Sequence, residues 1–585
     1  MRRYFIGLAT TFHDPALAIV GPDGEVLFAE AAERFLQNKR AINCEPDHIF
    51  RIADLLREYC PAYEELVVAC SWSRRSARLP WWAALLGLAG RLGPGLLAAG
   101  LPMEGLAKLL LYRRYALYHL ALCSQSSHMK AGANLMLALR RELGGRRVRF
   151  LQLDHHLTHA AVACHMSPFT DAACLVADGI GERGSLAYYT YRNGRLSPLH
   201  RPNGPESLGA LFMLVTDLCG FSALKGEEWK VMGLAAYGRH APAIEARLRA
   251  LYTLEYPRLR YAGGADLRRA VAALEAFRRP PGTSPRAAAD LAHTWQRLFG
   301  EAMDRLLRQF QAETGKDALV LTGGCALNSS YAGTIVGNTG FKRVFIPCAP
   351  ADDGNAVGAA LLAYQAHGGR WPARTAGPGT PYLGSSVAGA DLGARLQRAR
   401  IPKLRHCPET ICEETAHLLA QGRIIGWVQG RAELGPRALG NRSILADPRS
   451  PIMPGRINAE VKFREEFRPF APAILHEYGP VYFEDYQDSP YMERTLRFRP
   501  EVLAKVPGVV HVDGTGRLQT VKREWNARFY ELLRAFHALT GIPLLLNTSF
   551  NVMGRPMIHG LEDALGCFYS TGMDALVLED YLIEK

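Results

Sequence analysis

These 585 residues contain no run of apolar side chains long enough to cross a bilayer, no C-x-x-C pair and no lysine-rich tail. A spanning helix needs about 20 consecutive apolar residues. The most apolar stretch, Leu79 to Leu120, is broken by Arg91, Pro94 and Glu104, so no membrane span is expected. It reads as a helical hairpin packed on the body of the protein, with a cap over an apolar or amphipathic substrate as the second reading. Twelve cysteines are scattered without regular spacing, which excludes a zinc ribbon or disulfide scaffold and suits reduced thiols in the cytoplasm. The opening MRRYFIGLATTFHD lacks a cleavage pattern and reads as a first strand. With no basic tail, the net charge of +13 points to small anionic ligands rather than nucleic acid.

A composition of 48% hydrophobic and 21% charged residues describes a globular protein, and the length calls for at least two domains. Short β-rich runs alternate with helical patterns, which is α/β organisation. Strands are expected at Tyr4–Ala9, Ala16–Val20, Val26–Glu30, Leu66–Ala69, Arg147–Leu153, Ala173–Asp178, Ala187–Tyr191, Ala318–Leu321 and Arg343–Ile346. Helices are expected at Asp47–Tyr59, His155–His165, Ser207–Leu218, Ala288–Thr314 and Asn355–Gln365. Two strand-then-turn units, Ile6–Asp14 and Leu175–Gly184, suggest a duplicated fold with a ligand cleft. The expected domains are 1–370, with an apolar helical insertion at about 75–145, and 401–585, joined by a Gly/Pro-rich linker at 371–400.

The densest chemistry lies in GPRALGNRSILADP (Gly435 to Pro448), with Arg437, Arg442 and Ser443. NAEVKFREEFRPFAP follows with Lys462 and Arg468, and LLLNTSFNVMG comes later with Asn547 and Ser549. Arginine forks bind phosphate oxygens in pairs and lysine adds a point charge. Cations set among glycine and asparagine turns therefore point to a phosphate-rich ligand. In DHHLTHAA, Asp154 caps a helix on which His155 and His159 share a face, so both imidazoles reach one metal ion. His156 with His159 is the weaker pairing. CAPADDGNAVGAA offers Asp352 or Asp353 as the carboxylate, and Asp353 is preferred because it lies closer to the following helix. His13 and Asp14 end the first strand in a loop suited to a general base, metal ligand or orienting donor. Gly323, Gly324 and Asn328 after a strand, Lys230 in KVMGLAAYG and Asp178 before Gly179 complete a nucleotide-like pocket.

HDPA, DHHLTHAA, KVMGLAAYG, TGGCALN, DDGNAVGAA, GPRALGNRSILADP, VKFREEFRPFAP, HVDGTGRLQTV and LLLNTSFNVMGRPM occur in this order. In that order the chain resembles the O-carbamoyltransferases of nodulation-factor, cephamycin, aminoglycoside (tobramycin) and ansamycin biosynthesis, thinning only around residues 70–145. The resemblance implies a duplicated actin-like, sugar-kinase-like N-terminal domain and a YrdC-like C-terminal domain. The second would make carbamoyl adenylate from carbamoyl phosphate and Mg2+-bound ATP. Its ligands would be Arg437, Arg442, Ser443, Lys462, Arg468, Arg517, Asn547 and Ser549, with Lys462 and Arg468 also catalytic. The first would hold a divalent metal, iron in relatives, through His155, His159 and Asp353. Beside the catalytic pair His13 and Asp14, it would move the carbamoyl group to a hydroxyl of a specialised small molecule. The acceptor is expected to be bulky and partly apolar, and the enzyme a homodimer. The alternative is a tRNA-modifying enzyme that makes threonylcarbamoyladenosine.

Overall fold

The computed structural model describes residues 2–73, 126–141, 147–371, 377–387 and 391–585. The apolar hairpin expected at Leu79 to Leu120 lies outside them. Contacts divide the chain into an N-terminal unit ending at Gly379 and a C-terminal unit starting at Thr380. Two short pieces of the earlier sequence, Glu33–Lys39 and Ser329–Gly333, belong to the C-terminal unit. The unit boundary falls inside the Gly/Pro-rich stretch, and Leu392–Arg398 within that stretch is helical.

The N-terminal unit repeats one topology. Strands β1 (Arg3–Ala9), β2 (Ala16–Val20), β3 (Val26–Ala31), β4 (Glu65–Cys70) and β5 (Arg147–Gln152) form a sheet in the order β3-β2-β1-β4-β5. The second half contributes β6 (Asp171–Ala177), β7 (Leu186–Arg192) and β8 (Arg195–His200), then a separate hairpin, β9 (Tyr252–Glu255) and β10 (Arg258–Tyr261). With β11 (Ala318–Thr322) and β12 (Arg343–Phe345) it forms a sheet ordered β12-β11-β6-β7-β8. In both sheets the first strand pairs antiparallel with the second, the second antiparallel with the third, and the last two run parallel to the first. This is the duplicated α/β arrangement expected from the two strand-then-turn units. β2, β6 and β11 read as almost continuous apolar runs because they are covered on both faces.

Two small-residue helices pack between these strands. The side of Gly7 in β1 lies against the helix Asn355–Ala366, where an added Cβ would meet Ala356 O at 1.8 Å. At Gly358 of that helix, an added Cβ would meet Thr158 O of the helix His155–Met166 at 1.9 Å. Only glycine permits such approach, and it brings the first turns of the two helices together.

The C-terminal unit is built on one nine-stranded mixed sheet. Its strands are β13 (Leu404–His406), β14 (Ile425–Val428), β15 (Arg442–Ala446), β16 (Ala471–Leu475), β17 (Arg494–Arg497), β18 (Thr515–Val521), β19 (Leu544–Ser549), β20 (Ala575–Leu578) and β21 (Tyr581–Glu584). They are ordered β13-β21-β20-β14-β15-β19-β16-β18-β17. Leu, Ile, Val and Trp427 from the sheet pack with the helices Ile411–Ala420 and Ala527–Thr540 in one core. Among the described residues, no helix is long and apolar enough to cross a membrane and no disulfide forms.

Candidate functional sites

Asp154 caps the helix His155–Met166 by accepting from Leu157 N at 3.0 Å. On this helix, buried at every position but Leu157, His155 and His159 stand one turn apart, facing the turn that opens the helix Asn355–Ala366. His155 Nε2 lies 3.3 Å from Asp178 Oδ2 and 3.4 Å from Asp352 Oδ1. His159 Nε2 lies 3.3 Å from Asp352 Oδ1 and 3.7 Å from Asp178 Oδ2. The four ligand atoms fall within 4.8 Å of one another. The carboxylate the structure sets against the imidazoles is therefore Asp352, in place of Asp353, whose Oδ1 accepts from Gly354 N. Asp178, expected beside a nucleotide, joins the same cluster, while its Oδ1 accepts from Gly324 N at 2.9 Å. Gly323 makes this loop possible: its φ is +91°, and a Cβ there would strike Ala177 O at 2.3 Å.

Two carboxylates held this close in a buried site require a cation between them. The imidazole of His155 supplies one here. Burial pulls its pKa down, but Asp178 and Asp352 outweigh it and carry the value to about 10. Burial raises the carboxylates and the imidazoles more than reverse this, leaving Asp178 at about 2 and Asp352 well below the usual range. Two imidazole nitrogens and two carboxylate oxygens also form a donor set suited to a borderline divalent ion such as iron, zinc or manganese. The residues present thus fit a resident metal. Trp72 stacks on His155 at 4.1 Å, and Asn355 Nδ2 approaches His159 Nε2 at 3.0 Å. His156 does not join the cluster: burial and then the charge on His155 hold it neutral, with a pKa of about 3.

His13 stands at the edge of the cluster. Its Nδ1 is 2.9 Å from Asp14 Oδ2 and 3.7 Å from Asp352 Oδ2. Asp14 adopts φ +52° and accepts from Arg40 Nη2 at 2.9 Å. Burial works against its charge, but Arg40 and His13 prevail and push its pKa far down. The other expected N-terminal residues are tied into local contacts. Asn328 exchanges two 3.0 Å hydrogen bonds with Gln296, and Lys230 pairs with Glu227 at 2.8 Å.

In the C-terminal unit, Glu433 folds the GPRALGNR loop. Its Oε1 accepts from Leu439, Asn441 and Arg442 backbone N–H groups at 2.7, 2.8 and 3.2 Å. The loop carries Arg437, which makes no hydrogen bond or ion pair among the described residues. Arg517 and Gln519 are two apart on β18, as Asn547 and Ser549 are on β19, so each pair shares a face of the sheet. Asn547 Nδ2 donates to Gln519 Oε1 at 2.7 Å. A π-helical turn, Asn458–Lys462, delivers Lys462 against the end of β19. There, among the described residues, its ammonium meets only neutral oxygens: Ser549 O, Ser549 Oγ at 3.2 Å, Asn551 O at 3.0 Å and Asn551 Oδ1 at 2.7 Å.

The cations crowd one another. Burial, then Arg517, pushes Arg437 far down; burial, then Arg468 and Arg517, does the same to Arg464. Lys462 is pushed well down by burial first, then by Arg464. Arg517 falls to about 10 through burial. Arginine does not surrender its proton, so these forces persist as repulsion that a bound anion relieves. Nη2 of Arg464 and Nε of Arg517 are buried without a hydrogen-bond partner among the described residues. Arg468 is met by Glu465 at 3.3 Å.

Arg442 takes a different part from the one expected. It is fully buried and donates to Gln429 O, Asn441 O, Ser385 O and Gly430 O at 2.8–3.1 Å. Those bonds secure the loop. Ser443 is likewise internal, accepting from Gly440 N at 3.0 Å. Glu433, Arg464, Trp72 and Asn355 are not among the site residues expected from sequence. Arg464 and Asn355 lie inside motifs already singled out, whereas nothing in the sequence ties Glu433 or Trp72 to a site.

Two family models match the chain: carbamoyltransferase N-terminus over residues 127–361 and carbamoyltransferase C-terminus over residues 416–585. Nodulation protein NolNO of Sinorhizobium fredii (strain NBRC 101917 / NGR234) is 35% identical over 484 residues, covering 78% of this chain and 68% of that protein. Nodulation protein NolO of Bradyrhizobium diazoefficiens is 34% identical over 447 residues, covering 74% of this chain and 79% of that protein. Full-length HypF in its phosphate- and nucleotide-bound form aligns over 62% of this chain and 55% of that one. Its 13% identity and TM-score of 0.36 are too low to carry weight.

Proposed function

The chain belongs to the carbamoyltransferase family and is an enzyme of that class; we propose that it is an ATP-dependent O-carbamoyltransferase. The observation that carries this reading is the C-terminal group of half-buried Arg437, Arg464 and Arg517 with buried Lys462, whose charges lack, among the described residues, carboxylate partners sufficient to balance them. Joining two anions needs such a pocket, because the cations offset their repulsion and the charge that grows on the leaving pyrophosphate. After carbamoyl phosphate gives up its phosphate to water, the carbamate oxygen attacks the α-phosphorus of ATP. Pyrophosphate leaves, and carbamoyl adenylate remains.

Transfer belongs to the N-terminal cluster. His155, His159, Asp178 and Asp352 would hold the metal, which when bound supplies Lewis acidity for the carbamoyl carbonyl or the acceptor hydroxyl. Asp14 keeps a proton on His13 Nδ1, so Nε2 is left to take the proton of the acceptor hydroxyl. The alkoxide oxygen attacks the carbamoyl carbon and AMP departs. A cavity of about 650 Å³, lined by Cys70, Ser73, His128, Phe150 and Gln152, suits a partly apolar hydroxylated acceptor.

Mass spectrometry tests the reaction. Incubation with ATP, 13C-carbamoyl phosphate and a panel of hydroxylated metabolites should yield AMP, pyrophosphate and one 13C-carbamoylated product. ADP in place of AMP would sink the adenylate route.

A further inference from the structure

Arg34 lies near the start of the chain, yet its segment, Glu33–Lys39, packs within the C-terminal unit. Three contacts seat the segment. Arg34 Nη2 donates to Gly435 O at 2.5 Å, Gln37 Nε2 donates to Met557 O at 3.0 Å, and the Phe35 ring meets His559 edge-on at 5.8 Å. Gly435 opens the loop that carries Arg437. Lys39, five residues beyond Arg34, is near enough to Lys462 to weigh against its charge. The segment therefore borders the cationic site at both of its principal motifs.

Arg34 is 3% exposed. Glu33 Oε1 stands 3.7 Å from its Nε, and Gly435 O takes Nη2, so the Nε–Nη2 edge of the guanidinium is occupied. Nη1 is buried and, among the described residues, has no hydrogen-bond partner. A buried charged donor with nothing to donate to is unfavourable, and cores seldom keep one unless a ligand completes it. A single neighbouring carboxylate beside a half-satisfied guanidinium leaves the fork able to grip an oxyanion end-on.

We propose that Arg34 is an anion-binding residue of the C-terminal site, with Nη1 donating to a phosphoryl oxygen of a nucleotide or pyrophosphate. This assignment rests on the adenylate-forming reading of that site. It makes the site a product of two distant sequence regions: the three C-terminal motifs and a short segment that follows β3. The anchors on Gly435 and Met557 fix the side chain before ligand arrives, so ligand binding does not have to order it.

Equilibrium binding of inorganic pyrophosphate to the full chain tests the idea, with ligand-free melting recorded in parallel. Arg34→Gln should weaken pyrophosphate about 10- to 100-fold, the effect of one charge-assisted hydrogen bond. Its ligand-free melting temperature should stay near that of the unmodified chain. Arg34→Lys keeps the charge without the fork and should lose a smaller factor, about 3- to 10-fold. Equal affinity in the unmodified chain and Arg34→Gln overturns the assignment alone. Should Arg34→Gln fail to fold, undiminished affinity in folded Arg34→Lys overturns it equally. An unmodified chain that binds no pyrophosphate overturns the adenylate-forming reading and this assignment together.

Discussion

Titrating a divalent ion into metal-stripped protein at a series of pH values probes the proton that His155 holds between Asp178 and Asp352. With a pKa of about 10 in the metal-free protein, His155 is protonated at neutral pH, and a metal ion must displace that proton to use Nε2. At pH 7, three units below about 10, the displacement costs about 4 kcal/mol at 1.36 kcal/mol per unit. Apparent affinity should therefore climb about tenfold per pH unit, or about 100-fold between pH 6.5 and 8.5, with one proton released per ion bound. Calorimetry in two buffers of different ionisation enthalpy counts that proton. In Asp352→Asn the imidazolium loses a carboxylate, so the climb should end at a lower pH and the plateau affinity should drop. Affinity that is flat from pH 6.5 to 8.5 with no proton released would refute the arrangement. Stability carries the same signature with a definite sign. The raised pKa of His155 stabilises metal-free protein fully below the unfolded value near 6.5, and this is lost as pH rises through about 10. The depressed pKa of Asp178 contributes above about 4, and this is lost as pH falls through about 2.

His13→Ala should slow carbamoyl transfer by about 10²- to 10⁴-fold while metal content and pyrophosphate exchange persist; loss of metal in that variant would make His13 a ligand instead of a base. Arg442→Met leaves four backbone carbonyls short of a donor and should cost on the order of 3–5 kcal/mol of stability, read by chemical denaturation. Normal stability with weakened ATP binding would restore Arg442 as a ligand. Gly323→Ala places a Cβ 2.3 Å from Ala177 O at φ +91° and should destabilise by about 2 kcal/mol or more. It should also weaken the metal through Asp178, and unchanged metal affinity would disconnect that loop from the cluster.

Much of the N-terminal architecture was legible because its elements are strongly patterned. The strand Ala16–Val20 is read to the residue, and the helix that starts at His155 begins where Asp154 caps it. The choice between Asp352 and Asp353 was not legible, because both lie in a single 3-10 turn, Asp352–Gly354, whose rotation depends on packing. Asp178 was picked out but given to a nucleotide, since a strand-end Asp-Gly carries no mark of its partner. In the C-terminal unit, type and spacing identified Arg437 and Arg442 alike. Burial then separates them: one stands in a loop among other cations, and the other opens β15 inside a ring of carbonyls. Glu433 and Arg34 make contacts that only the folded chain creates, the latter across 401 positions.

The division of labour between the two units is the claim on which the rest depends. Its direct measurement is carbamoyl-phosphate-dependent exchange of labelled pyrophosphate into ATP, run beside transfer from supplied carbamoyl adenylate, in Arg437→Ala and His155→Ala. Arg437→Ala should lose exchange and keep transfer, and His155→Ala should keep exchange and lose transfer together with its metal. Equal loss of both reactions in either folded variant would contradict two separate sites.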